Sequence, residues 1–456
     1  MNQAAPAVER HRASPLRTRG WVATLSSCAA LLIGLQVLFL GLNLVAATVP
    51  EQRIAQMLVD DLDTGAYPDT NYRPNGVGGR FDLFTDCVVA GTGIGRPDIG
   101  AVERSLLMPR ITPCVGGEEV IPLIARGEYV TPGNYLRYWA GYTIVTKPAL
   151  AFGGMDAMRA ISGAILAAGV ASFLIVGIRR LGIWSSALLI VPLLMSADLA
   201  VLPSGSALHS MLIGVAFAGA GLVLAATRHA DRAVVLAALT AGSVYCFFDL
   251  LSNPPLAWLL VTALATAGGF VAAGAARALR LGVISAAAWM AGFALTWVFR
   301  WVVGALVFGL DELREQVGGK VTERLSGEHK NVSSALGAGL VKNLRTWSEM
   351  PLTGVVAAVG AIAIVALIAL AARTHGAKAL AAWVLLVLPV AIVPVWYEVL
   401  SNHSQIHSFF TYRAVPVAVG WAIAAAALVA RLSRIGWPTT GETPSGAVRP
   451  TRGRPS

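Results

Sequence analysis

The feature that most restricts this chain is the recurrence of apolar windows of about twenty residues with almost no charge inside them. A 19-residue window finds about ten, near positions 22–48, 156–178, 183–202, 206–227, 233–250, 255–276, 281–308, 352–372, 379–399 and 411–432. In hydrocarbon, a backbone must satisfy its own hydrogen bonds, so runs of this length can only be helices. The expected fold is therefore all-α: a polytopic integral membrane protein of about ten transmembrane helices. The composition agrees, since 56% of the 456 residues are hydrophobic and only 13% are charged.

The connections between the runs alternate in charge. Arg179 with Arg180, Arg228 with Arg232, Arg277 with Arg280, Arg373 with Lys378, and Arg431 with Arg434 share a side with Arg10, Arg12, Arg17 and Arg19 of the N-terminal segment. The opposite short connections, 203–206 and 251–254, carry no Lys or Arg. This is the positive-inside pattern, and it places both termini in the cytoplasm of a cell (inner) membrane. It also accounts for the net charge of +10 without nucleic acid, because no basic stripe lies on a soluble domain. The first run is too long for a signal-peptide core, so it reads as an uncleaved first span. The expected organisation is a basic cytoplasmic tail (1–20), a transmembrane catalytic domain (21–436) and a disordered cytoplasmic tail (437–456). Two large outer loops, at about 50–154 and 310–351, belong to the middle part.

In the first outer loop, Ile54, Met57, Leu58, Asp61 and Leu62 follow a helical period, which predicts an amphipathic helix on the outer membrane surface. The second loop is expected to be helical and superficial. Cys87 and Cys114 both fall in the first loop and could be bridged outside the cell, whereas Cys28 and Cys246 lie in apolar runs.

Ionisable groups near membrane spans default to functional hypotheses. Here Asp198, His209, Asp249, Arg300, Glu398 and Arg413 all fall towards the outer ends of their runs. The densest polar stretch is the hinge from Trp396 to Arg413, which holds Trp396, Asn402, His403, His407, Tyr412 and Arg413. His403 and His407 are four residues apart and share a helical face, a spacing that could hold a metal, but no third ligand stands beside them. An aromatic and cationic cluster, Arg137, Tyr138, Trp139 and Tyr142, closes the first loop. Asp249 and Asn253 mark the turn after the fifth run.

An enzyme working outside the cytoplasm has no nucleotide sugar and must draw on a donor carried in the membrane. Transfer from a polyprenyl-phosphate sugar needs a carboxylate to activate the acceptor hydroxyl and cations to receive the departing phosphate. Aromatic faces would seat the sugar ring. The residues above match these needs.

On Pro50-Glu51 with Ala55, Met57 and Leu58, a large first outer loop and many later spans, the chain resembles the GT-C superfamily of polytopic glycosyltransferases that use lipid-phosphate sugars. Family members carry an adjacent acidic pair at the entry to that loop. Here Glu51 stands alone, with Asp60 and Asp61 further on, so Asp82 or Asp86 could be the base instead. The stretches Phe84-Thr85-Asp86, Arg137 to Tyr142, Phe248 to Pro254 and Asn402 to Arg413 also resemble a group of bacterial membrane proteins with no settled activity. The resemblance implies a transferase moving a sugar, by analogy arabinofuranose in cell-wall biosynthesis, to an extracytoplasmic glycan, lipid or protein acceptor. The residues themselves favour Asp86 as base, with Glu51 or Asp82 as alternatives. Arg137, Arg413, His403 and His407 would bind the donor phosphate. Asp249, Asn253, Tyr138, Trp139, Tyr142, Trp396, Asn402 and Tyr412 would line the sugar or acceptor pocket. No cofactor is assigned beyond the polyprenyl-phosphate sugar as donor substrate, and a divalent cation would suit the phosphate. The alternative is a transporter or flippase of a lipid-linked saccharide. A third reading, an acyltransferase using His403 or His407 as base, conflicts with the cytoplasmic location of acyl-CoA.

Overall fold

The computed structural model describes residues 15–111, 114–318 and 332–437. The expected disordered tail and most of the basic N-terminal tail lie outside them. Among the described residues, eight helices are long and apolar enough to cross a membrane: Val22–Ala47, Thr143–Leu181, Ala207–Ala226, Asp231–Phe248, Pro254–Phe308, Thr353–His375, Ala377–Val399 and Ser408–Ile435. A shorter apolar helix, Ile183–Ser196, packs beside them. The chain is thus an all-α, multi-pass membrane protein. Its only strands among the described residues form two short antiparallel pairs, Tyr72–Pro74 with Arg80–Asp82 and Pro109–Arg110 with Gly133–Asn134.

Two of the long helices are broken. Gly274 adopts φ +74°, a region open to glycine, and the chain reverses there. Trp258 Nε1 donates to the Ala286 carbonyl at 3.0 Å. Residues 28 apart on one straight helix would be separated by roughly 42 Å, so the Pro254–Phe308 segment is a hairpin of two antiparallel arms. The Thr143–Leu181 helix is kinked at Gly153 and Gly154. Asp61, from the first-loop helix, receives the Met155 amide just beyond this kink at 2.8 Å and so caps the following stretch. Each of the ten apolar windows falls on one of these helices, hairpin arms or the short apolar helix.

The bundle packs through small residues, as membrane helices do in the absence of a hydrophobic drive between them. A Cβ on Gly169 would lie 2.0 Å from the Gly214 carbonyl oxygen, and one on Gly292 would lie 2.2 Å from that of Leu239. The first span and Thr353–His375 are mostly exposed along their apolar windows, whereas Ser408–Ile435 is largely enclosed. The enclosed helix therefore carries its polar start, the hinge, into the middle of the assembly.

Two expectations about the loops change. The helix Glu51–Thr64 buries its apolar face against the loop helix Gly117–Ala125 and the Thr143–Leu181 helix, rather than simply resting on a membrane surface. Asp61 lies on that buried face because it serves as the cap just described. The second loop is not merely superficial: its helix Ala338–Ser348 buries Asn343 and Trp347 beneath the hinge. Cys87 and Cys114 are joined by a disulfide that ties the helix Leu83–Ala90 to the following loop.

Candidate functional site

The site begins with a helix cap. Asp82 ends the strand Arg80–Asp82 and caps Leu83–Ala90 by accepting the Thr85 amide at 3.1 Å and the Thr85 hydroxyl. Its own amide donates to Ser206 Oγ at 2.9 Å. This sets the cap against the N-terminus of the Ala207–Ala226 helix, where His209 Nε2 meets Asp82 Oδ2 at 2.8 Å. Both side chains are buried. Burial alone would raise the Asp82 pKa, but the bond and charge of His209, with the Thr85 donors, hold it below the ordinary carboxylate range.

One turn along the same helix, Asp86 is fully buried and accepts the Ala207 amide at 2.7 Å. Arg159 Nε lies 3.7 Å from Asp86 Oδ2, an ion pair too long to count as a hydrogen bond. Desolvation outweighs the Arg159 charge and the Ala207 amide, with the nearby Asp82 charge adding to it, and the Asp86 pKa is raised to about 7. The two aspartates, four residues apart, thus sit in opposite electrostatic regimes.

His209 also lines a small cavity with Tyr245, Ser252, Asn253, Phe410 and Arg413. Arg413 is buried, its guanidinium lies over Tyr412 at 5.2 Å and interacts with its hydroxyl, and among the described residues its Nε and Nη1 have no hydrogen-bond partner. A buried guanidinium with open donors is costly unless an anion completes it. Asn253 Nδ2 donates to the Phe410 carbonyl at 3.3 Å, while its Oδ1 has no partner among the described residues. A second small cavity, lined by Tyr138, Trp139, Asp249, Leu251 and Trp297 among others, shares this turn. Asp249 Oδ1 accepts the Ser252 amide at 2.7 Å, its Oδ2 has no partner among the described residues, and burial raises its pKa to about 7. Close by, Asn75 Nδ2 donates to Asp198 Oδ2 at 2.7 Å and ties the hairpin at 75–79 to the bundle.

The hinge forms a wall around these groups. It folds into short helices, Ile392–Val399, Ser401–Ile406 and Ser408–Thr411. Asn343 fastens it through the Ser404 carbonyl at 2.9 Å and Thr411 Oγ1 at 2.6 Å. His403 Nε2 meets the Leu251 carbonyl at 2.7 Å, tying the hinge to the Asp249 turn. The His407 ring stacks on Phe410 at 5.2 Å. Asn402 is buried in the hinge, and Trp396 packs edge-on against Trp258 and Phe293.

The structure does not bring all the sequence candidates together. Glu51 accepts the Gly95 and Arg96 amides at 2.7 and 3.2 Å, with Arg104 at 3.7 Å, and pins the loop in a separate cluster. Arg137 stacks between Tyr135 and Tyr138 at 4.6 and 5.1 Å and lines neither cavity. Trp139 is buried and does line the second cavity, but its Nε1 is spent on the Thr296 carbonyl at 2.8 Å. Tyr142 is also buried, its hydroxyl 3.1 Å from Thr92 Oγ1. Conversely, the partnership of His209 with Asp82, and the roles of Arg159, Ser206 and Asn343, escaped the sequence. The one local signal was the spacing Asp82 to Asp86, which places two carboxylates on one helical face.

Among the described residues, no three His, Cys, Asp or Glu side chains converge as a metal site. No family model, curated protein or solved structure matches the chain.

Proposed function

We propose that this protein is a membrane glycosyltransferase that moves a sugar from a polyprenyl-phosphate donor to an acceptor hydroxyl on the extracytoplasmic side. The observation that carries the reading is Arg413, a buried guanidinium with open donors, sharing a cavity with a histidine held by a buried aspartate. Arg413 would receive the phosphate, which gains negative charge as its bond to the sugar breaks. With Nε2 held by Asp82, His209 would take the acceptor proton on Nδ1 as the oxygen attacks the anomeric carbon. Asp86 lines neither cavity and is the second candidate for the base. Asp249 and Asn253, with Tyr138 and Trp139 behind them, would seat the sugar. On this reading the hairpin arms and Ile183–Ser196 each cross the bilayer, giving ten crossings with both termini cytoplasmic in an inner membrane. The sugar is arabinofuranose by analogy only.

The test uses purified protein in detergent, where no membrane separates two compartments, with a panel of polyprenyl-phosphate sugars. The expected result is release of polyprenyl phosphate by the wild type and a loss on the order of 10²-fold or more in His209→Gln and Asp82→Asn. Asp86→Asn separates the two candidate bases: retained transfer removes Asp86 from that role. Failure to consume any donor, with movement of lipid-linked saccharide across proteoliposomes, would establish the transporter reading instead.

A further inference from the structure

At the other end of the Ser408–Ile435 helix from Arg413 lies a cavity of about 550 Å³. Eighteen residues separate Arg413 from Arg431, roughly 27 Å along a helix, so the cavity opens about one hydrocarbon thickness away from the candidate site. Its walls are apolar, formed by Leu188, Leu367, Ala427 and Ala430, and Trp184 stands mostly exposed nearby. Arg431 and Arg434 also line it, and among the described residues no acidic side chain does. Three residues apart, the two arginines share a helical face. Neither guanidinium makes a hydrogen bond or ion pair among the described residues. Arg431 is held over the break between two helices by Gly182, where a Cβ would lie 3.1 Å from Arg431 Cδ.

An apolar slot of this size with two unpaired guanidinium groups at one end, at the level where a membrane surface would lie, matches one ligand chemistry. We infer that it binds an acidic glycerophospholipid, with an acyl chain between Leu188, Leu367 and Ala427 and the headgroup phosphate on Arg431 and Arg434. Guanidinium donors pair with a phosphate in a forked geometry, and with no acidic partner among the described residues both cations are left to the lipid. A zwitterionic lipid would fill the slot equally well, but its ammonium would offset the attraction that the arginines offer. This site is independent of the transferase reading.

The experiment is native mass spectrometry of the delipidated full chain titrated with phosphatidylglycerol and with phosphatidylcholine of identical acyl chains. One phosphatidylglycerol should be retained roughly tenfold better than phosphatidylcholine by the wild type. The double substitution Arg431→Ala with Arg434→Ala changes two exposed side chains and should erase that preference while leaving phosphatidylcholine retention unchanged. Leu367→Trp should weaken retention of both lipids by filling the slot. Equal retention of the two lipids by the wild type, or an undiminished preference in the double variant, overturns the proposal. Displacement of the lipid by millimolar inorganic phosphate would also overturn it, by showing an anion site with no acyl component.

Discussion

Asp86→Asn should stabilise this protein at neutral pH, and the size of the effect can be worked out from its surroundings. The carboxyl is fully buried, and its pKa rises from an ordinary 3.8 to about 7. Between those values the folded protein holds a proton that the unfolded chain has released. Stability that the protonated carboxyl contributes below pH 4 is therefore lost as pH rises through 7, and nothing further changes above that. About three decades of proton affinity correspond to about 4 kcal/mol. Asparagine keeps an oxygen for the Ala207 amide, and the Arg159 ion pair adds no separate cost, because it exists only with the ionised carboxylate and already lies within the raised pKa. The variant should thus match the wild type near pH 4 and exceed it by about 4 kcal/mol at pH 8. Equilibrium unfolding in mixed detergent and SDS, followed at several pH values, gives both curves. Only the difference between them matters, because every other titrating group cancels. A difference that stays flat between pH 4 and 7 would refute the claim that Asp86 is held against its ionised form.

Replacing both Cys87 and Cys114 with Ser opens a loop of 27 residues and should cost about 3.5 kcal/mol, read as a lower midpoint in the same unfolding assay. Because that bond anchors the helix carrying Asp82 and Asp86, amide exchange should accelerate over Leu83–Ala90 before the bundle itself loosens. Arg300→Lys should be destabilising by about 2–4 kcal/mol in spite of its retained charge. Arg300 is fully buried and donates to the Leu136 carbonyl at 3.1 Å, the Ser105 carbonyl at 3.4 Å and the Leu106 carbonyl. A single ammonium cannot reach all three, and a thermal midpoint equal to that of the wild type would contradict this account.

What could be read in the chain and what could not divide along a physical line. A bilayer imposes its thickness and its dryness on every spanning segment, so the apolar windows, their helical state and the breaks between them are local properties that twenty consecutive residues display. The gathering of chemistry into Asp82, Asp86, Asp249, Asn253 and the hinge was visible for the same reason, since polar groups stand out against apolar runs. Nothing local, however, shows which polar group meets which. His209 lies 127 residues beyond Asp82, and the pair exists because Ser206 and Ala207 dock a helix N-terminus on the cap of another helix. Glu51 looked like a base from its place after the first span, but three donors from the same loop claim it. Asp61 looked like an interruption of an apolar face until the kink at Gly154 supplied the amide it caps. Arg137 and Arg413 looked like a pair, yet one stacks on tyrosines while the other keeps open donors beside His209. Hydropathy acts residue by residue and needs no partner, so the sequence by itself determined that this chain spans a membrane as helices. Hydrogen bonds and ion pairs need two groups within about 3–4 Å, and only the tertiary packing decided those distances.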